Sequence, residues 1–324
     1  MGAEPRLGFE LTDVGSIRDR AELARWGEDR GFDDAWSAEI TDPDAFVILS
    51  AAALATSKIR LGTAIVPIGA RTAPHLAASA ASLAQLAPGR TALGIGVSSQ
   101  VIVEHWNGLP YARPLQRARE TIEVLGSVLR GERTDYAGEQ IRTKGFKLRH
   151  PPESPPPILL AALGVKMLEL AGELADGVYL NFVPSDAIPT VLEAIGRGAA
   201  RAGRTTIPEV ILSVPCTVTD DAEAARADFA RGLAFYLTAP PYQRALEWYG
   251  FEEEVARARE AWATRDLDLV RAAISRRLVD GIGAFGSAEH CRERVAQFAA
   301  AGVSTISISP TEPDARGTLQ HFAR

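Results

Sequence analysis

The chain of 324 residues has only two cysteines, Cys216 and Cys291. Two thiols cannot frame a disulfide-held fold, and their apolar or helical surroundings make them buried free cysteines. The opening residues, MGAEPRLGFE, lack a basic segment followed by a long apolar run, so no secretory signal is predicted. No apolar stretch is long enough to span a bilayer. Together these absences predict a cytoplasmic protein with no membrane partner. The five histidines (His75, His105, His150, His290 and His321) are scattered and form no HExxH spacing, so no metal centre is expected. There is no GxSxG nucleophile elbow. A dinucleotide fingerprint is missing too: the GxG at Gly94-Ile95-Gly96 has Ser99 where the third glycine belongs. Internal repeats and low-complexity segments are absent. The net charge of −6 argues against nucleic acid as a partner. It does not argue against a small anion, which a local cluster of backbone N–H groups can hold inside an acidic protein.

What is present is an ordinary globular composition, 46% hydrophobic and 23% charged, arranged as alternating strand and helix patterns. Strands are expected at Arg6–Leu11, Asp34–Ser37, Arg60–Val66, Thr91–Ile95, Ile158–Ala161, Gly177–Leu180, Val210–Val218 and Val303–Ser309. Helices are expected at Ser16–Arg30, Asp44–Thr56, Pro74–Leu86, Leu115–Arg130, Val165–Leu174, Ser185–Arg201 and Ser287–Ala301. In the second helix Phe46, Val47, Leu49 and Leu54 are expected to face inward. Gly131–Pro157 breaks the rhythm with turn residues and a proline cluster, and reads as a hairpin excursion. Ala222–Leu278 is mostly helical, broken at Pro240-Pro241 and Gly250. Short apolar strands between helices imply a parallel sheet. Eight such units in this length predict an α/β fold, a single (β/α)₈ TIM barrel over residues 1–324. The insertions fall at about 131–157 and 222–278, the second lying before the eighth strand. The apolar, alanine-rich helices Asp44–Thr56 and Pro74–Leu86 could form a homodimer face.

A barrel carries its active site at the C-terminal ends of its strands. Those ends hold few strong nucleophiles, which points to an organic cofactor as the source of chemistry. Glu10 and Glu39 each follow an apolar strand. Either carboxyl could transfer protons from a partly desolvated mouth; either could equally be a solvated acid or the partner of an arginine. The run LGTAIVPIG, Leu61 to Gly69, reads as a buried strand and turn, or as a bulge against a flat ligand. In AALGVKMLELA, Gly164 marks a strand-to-helix turn whose free N–H groups, with Lys166 nearby, could bind a phosphate. A plain turn explains that sequence as well. Gly94, Gly96, Ser98 and Ser99 form a small-residue loop where a ligand can approach the backbone. It is followed by an aromatic-bearing connection through Trp106 and Tyr111. Trp106, Tyr111, Trp248 and Tyr249 line a substrate pocket or cover core edges. Glu252–Arg271 reads as a solvated helix face.

Several of these segments, in their order and spacing, resemble one family. They are GFDDAWSAE, KIRLGTAIVP, GRTALGIGVSS, the P-x-x-R-x-R-E helix start at Pro114 to Glu120, PPPILLAALGVKMLELAGELADGVYLN and AGVSTISISP. The family is the luciferase-like monooxygenase superfamily, and within it the branch dependent on coenzyme F420 that includes the methylenetetrahydromethanopterin reductases. The resemblance implies a non-prolyl cis peptide at Ala64-Ile65, in a bulge that supports the deazaflavin ring together with Pro67. It implies that Gly96, Val97 and Ser98 lie along the cofactor, and that Ala162, Leu163, Gly164 and Val165 hold its phosphate. Glu10 matches an active-site acid of the reductases. Glu39 falls where many relatives have Asp followed by His; here the pair is Glu39-Ile40, and the imidazole is missing. The expected activity is F420-dependent hydride transfer to or from a small-molecule substrate, with Glu39 as first and Glu10 as second proton carrier. An FMN-dependent monooxygenase and a catalytically silent cofactor-binding barrel are the alternatives.

Overall fold

The computed structural model describes residues 5–11, 14–312 and 314–324. Along the chain run β1 (Arg6–Glu10), α1 (Ile17–Glu28), β2 (Asp34–Ser37), α2 (Ala45–Ala55), β3 (Arg60–Thr63), β4 (Val66–Pro67), α3 (Ala73–Leu86) and β5 (Thr91–Gly96). A π-helical turn at Val101–Trp106 leads to α4 (Pro114–Leu129), a hairpin of β6 (Asp135–Ala137) and β7 (Arg142–Lys144), then β8 (Ile158–Ala161), α5 (Val165–Leu174), β9 (Gly177–Asn181), α6 (Ile188–Arg201) and β10 (Glu209–Val218). Five helices follow: α7 (Ala222–Leu237), α8 (Pro240–Trp248), α9 (Glu252–Ala263), α10 (Leu267–Ala272) and α11 (Arg276–Ile282). The chain then forms β11 (Ala284–Gly286), α12 (Ala288–Ala300), β12 (Thr305–Pro310) and α13 (Ala315–Leu319). Parallel pairing runs β1-β2-β3-β5-β8-β9-β10-β12 and back to β1, which closes the expected eight-stranded barrel.

Local chemistry sets the helix starts. Ser16 and Asp19 make a capping box on α1, Asp44 accepts from Phe46 and Val47 at the head of α2, and Thr72 caps α3 just before Pro74. The hairpin is tied to the barrel by Glu120 of α4. Its buried carboxylate accepts N–H bonds from Glu139, Gln140 and Ile141 at 2.7–2.8 Å.

Inward-facing side chains stack in layers, as strand alternation requires. The floor is ionic. Asp34, fully buried, receives both Arg6 (2.6 and 3.1 Å) and Arg60 (2.6 and 3.1 Å), and Arg60 also forks onto Glu209 at 2.7 and 2.8 Å. Thr305 donates to Glu209 at 2.8 Å. Above the floor, Trp36, Ala92, Leu159, Tyr179 and Ile211 form the middle layer. The indole of Trp36 occupies the space left by two glycines: a Cβ on Gly62 would lie 2.1 Å from its ring, and one on Gly8 2.9 Å from its Nε1.

Some expectations need correction. The third strand does not run unbroken from Arg60 to Val66; it stops at Thr63 and resumes as β4. The sixth helix starts at Ile188 rather than Ser185, because Ser185 donates instead to the carbonyl of Gly281 in a turn. The three-residue β11 is too short to leave a periodic signal, and pairs with the far end of β10. On α2, Val47 and Leu54 point outward, at 52% and 78% exposure. The helical period puts Ala45, Ile48, Leu49 and Ala52 on the buried stripe, and in so uniformly apolar a helix composition could not show which stripe that was. Cys216 and Cys291 are free and buried, as expected. Among the described residues no helix is long and apolar enough to cross a membrane.

The floor network makes stability depend on acid. Burial pushes the Glu209 carboxyl up, but the hydrogen bonds and charge of Arg60, then Thr305 and Arg6, outweigh it and hold the group below its ordinary 4.5. The folded state therefore binds this proton less tightly than the unfolded chain. Its stabilisation is full above the ordinary carboxylate range and is lost as pH falls through the lowered folded value. Glu209→Gln should destabilise the protein at pH 7 by roughly 2 kcal/mol, less than a fully buried pair because the side chain is partly exposed. Denaturant titrations of both proteins should show that gap narrowing steadily below about pH 4.

Candidate active site

At the C-terminal mouth of the barrel the inner layer becomes small and polar. Glu10, the last residue of β1, stands at its centre. Its Oε1 accepts from the Tyr179 hydroxyl of β9 at 3.0 Å and from Ser213 of β10 at 2.6 Å, while its Oε2 accepts from Ser309 of β12 at 2.9 Å. Tyr179 stands edge-on to Trp36, with centroids 5.6 Å apart. Burial first, and then the charge of Glu10, hold its phenol well above the ordinary 10, so the hydroxyl keeps its proton and donates.

Beside Glu10 the wall is bare backbone. The Ala64–Ile65 peptide between β3 and β4 is cis. A Cβ on Gly94 would lie 2.0 Å from the Thr63 carbonyl oxygen, and one on Gly96 would meet Ile65 Cδ1 at 2.8 Å and Ala161 at 3.3 Å. The bulge thus presses on two glycines of β5, and Ala64 and Ile65 pack against the cluster of Trp36 and Tyr179. Pro67 pairs with Gly96 in the β4–β5 ladder. Past the strand, Val97 leads to Ser98, which adopts a left-handed φ of 60°, a conformation an L residue holds only when its surroundings impose it. The Tyr111 hydroxyl donates to the Ser98 carbonyl at 3.3 Å. Phe182, just beyond β9, is left-handed as well, with φ 55°.

The turn Ala162–Val165 opens α5. Gly164 is its N-cap, supplies no side-chain cap, and has nothing within 4 Å of a notional Cβ. No N-cap side chain takes up the first N–H groups of the helix, and such uncapped N–H groups suit an anion. Tyr249 of the insertion donates to the Leu163 carbonyl at 3.3 Å and steadies this turn. Lys166 is exposed beside it.

Glu39 is placed differently. Its carboxylate is held by Arg71 at 2.5 Å and accepts from the Ala45 N–H at 3.3 Å, while Arg71 also reaches Asp44 at 2.6 Å. The Glu39 N–H donates to the Ile65 carbonyl at 3.2 Å. Of the two readings left open for this acid, the structure brings it to an arginine, where it ties the loop after β2 to the bulge. Tyr249 is buried against the turn, whereas Trp106 is half-exposed on the π-helical segment. Sequence reasoning missed Tyr179, Ser213 and Arg71. The first two are in phase with inward positions of their strands, Tyr179 with Gly177 and Ser213 with Glu209 and Ile211, so alternation could have found them. Arg71 lies in an irregular loop and left no such trace. Among the described residues no group of His, Cys, Asp and Glu could hold a metal ion.

Residues 4–305 match the family model described as luciferase-like monooxygenase. The chain belongs to this luciferase-like family. It is 30% identical to the 5,10-methylenetetrahydromethanopterin reductase of Archaeoglobus fulgidus, over 97% of this chain and 96% of that one. Among solved structures it resembles the coenzyme F420-dependent tetrahydromethanopterin reductase of Methanopyrus kandleri, with a TM-score of 0.83, 24% identity and 98% of each chain covered. It also resembles an F420-dependent secondary alcohol dehydrogenase in complex with an F420-acetone adduct, with a TM-score of 0.82, 17% identity, and 99% and 97% coverage.

The two wall glycines should respond differently to a methyl group. In Gly94→Ala the obstacle is a backbone carbonyl that cannot step aside, so a loss of about 3 kcal/mol is expected. In Gly96→Ala the obstacle is the tip of the Ile65 side chain, which can rotate, so the loss should stay near 1 kcal/mol. Denaturant midpoints of the two variants measure the difference.

Proposed function

We propose that the protein is an oxidoreductase that uses coenzyme F420 to move a hydride to or from a small organic substrate. The observation that carries this reading is the arrangement at the mouth: a glycine-backed wall at Ala64, Ile65, Pro67 and Gly96, an uncapped helix N-terminus at Gly164, and a carboxyl in a hydroxyl cluster. The wall suits a flat ring, and the helix N-terminus suits a phosphate. The curated relative of A. fulgidus, named as a methylenetetrahydromethanopterin reductase, supports the reading and makes a pterin-like substrate one option for this chain.

When bound, the coenzyme supplies two-electron hydride chemistry at its deazaflavin ring. The protein supplies position and protons. Ala64, Ile65, Pro67, Gly96, Val97 and Ser98 would line the ring, and the N–H groups at Ala162, Leu163, Gly164 and Val165 would hold the phosphate. Glu10 becomes the first choice for the proton carrier, because it stands inside the mouth, oriented by hydroxyl donors from three strands. Glu39 becomes the second, since its charge is already matched by Arg71. The outward Val47 and Leu54 of α2 supply the apolar surface for a homodimer, which sedimentation of the purified protein tests directly.

Titration of the purified protein with F420 and, separately, with FMN decides the cofactor. F420 should bind at micromolar concentration or tighter and FMN far more weakly; the opposite preference would turn the assignment to an FMN-dependent monooxygenase. With a substrate found by screening for changes in F420 absorbance, Glu10→Gln should lower turnover by about a hundredfold and leave F420 affinity close to that of the parent. Glu39→Gln should lower turnover less. Turnover insensitive to both changes would remove carboxylate proton transfer from the mechanism.

A further inference from the structure

Tyr179 and Ser213 carry hydroxyls that packing does not require. The Tyr179 ring already has its place in the middle layer, edge-on to Trp36, and phenylalanine would fill the same space. Ser213 lies within the run VILSVPCTV, almost fully buried, where alanine would serve the ladder equally well. Both hydroxyls nevertheless converge on one oxygen, Glu10 Oε1, from two different strands, and Ser309 takes the other oxygen from a third. A buried hydroxyl left without a partner is costly, so such convergence needs a reason beyond the core.

We propose that Tyr179, with Ser213 and Ser309, is a positioning residue that holds Glu10 as an oriented carboxylate at the barrel mouth, ready to accept a proton. The proposal rests on the reading of Glu10 as proton carrier and extends it. An ionised carboxyl only accepts hydrogen bonds, and these donors arrive at both of its oxygens. Protonating it puts a donor on one oxygen, so a hydroxyl must turn round and accept. Tyr179 is the donor least able to leave, since its ring is packed against Trp36 and its proton is retained. Hydrogen bonds to the charged form favour that form and oppose the effect of burial. The described groups on the neighbouring strands and at the rim are these. The register partner of Glu10 on β2 is Trp36, which does not titrate, and on β12 Ser307 lies one layer below Ser309. Glu39 at the rim is neutralised by Arg71, and Arg6, Asp34, Arg60 and Glu209 sit on the floor, beneath the Trp36 layer.

The test is an infrared pH titration of the protein without cofactor. The carbonyl band of protonated Glu10 is identified as the one missing in Glu10→Gln. In Tyr179→Phe its midpoint should rise by about one pH unit, the effect of removing one donor to a charged acceptor. Ser213→Ala should move it in the same direction, and decides the matter if Tyr179→Phe does not fold by thermal denaturation. A midpoint unmoved in the folded variants overturns the proposal, whatever the cofactor. A shifted midpoint sustains it even if the parent protein fails to bind F420, an outcome that would defeat only the cofactor reading.

Discussion

A closed eight-stranded barrel must fill its own interior, and here one indole carries much of that task. Trp36 lies across the middle layer because Gly8 and Gly62 leave it room, and Tyr179 meets it edge-on. Interiors pack at nearly crystalline density, so an indole and two glycines solve the problem only as a set. The consequence reaches the mouth. With the middle layer filled by one large ring, the layer above can be small and polar. Glu10, with the hydroxyls of Tyr179, Ser213 and Ser309, occupies that layer.

The floor supports the same arrangement from below. Asp34 and Glu209 hold Arg60 between them, and Arg6 completes the charge on Asp34. Such a network is expensive to desolvate and is stabilising mainly because every member is matched. It joins β1, β2, β3 and β10 across the barrel, so strands distant in sequence keep the register that brings Glu10, Tyr179 and Ser213 to one height. The bulge at Ala64–Ile65 and the glycines of β5 depend on that register too: Gly94 faces the Thr63 carbonyl because β3 and β5 pair at Leu61–Thr91 and Gly62–Ala92.

Much of this was legible in the chain. Alternating apolar strands and amphipathic helices predict the barrel, because periodicities of 2.0 and 3.6 are set by local backbone geometry. The caps Ser16, Asp44, Thr72 and Ser287 mark helix starts for the same local reason. The small-residue segments at Gly94–Ser99 and Ala161–Val165 and the carboxyl of Glu10 could be placed at strand ends and so at the mouth. The pairing of Glu39 with Arg71 could not. Arg71 is 32 positions away in a loop without a periodic pattern, and only the pairing of β2 with β3, followed by the turn of the chain through β4, brings the two together.

The sequence by itself determined the alternation of elements, the barrel it implies, and the residues delivered to its C-terminal end, because these follow from neighbours close along the chain. The tertiary structure alone decided which acid is paired with Arg71, which hydroxyls converge on Glu10, and which stripe of α2 is left in solvent. The convergence on Glu10 depends on contacts between β1, β9, β10 and β12, separated by as many as 299 residues, and the other two outcomes on how loops and helices pack around the barrel. No local pattern encodes such contacts, since their partners are chosen by barrel closure and packing.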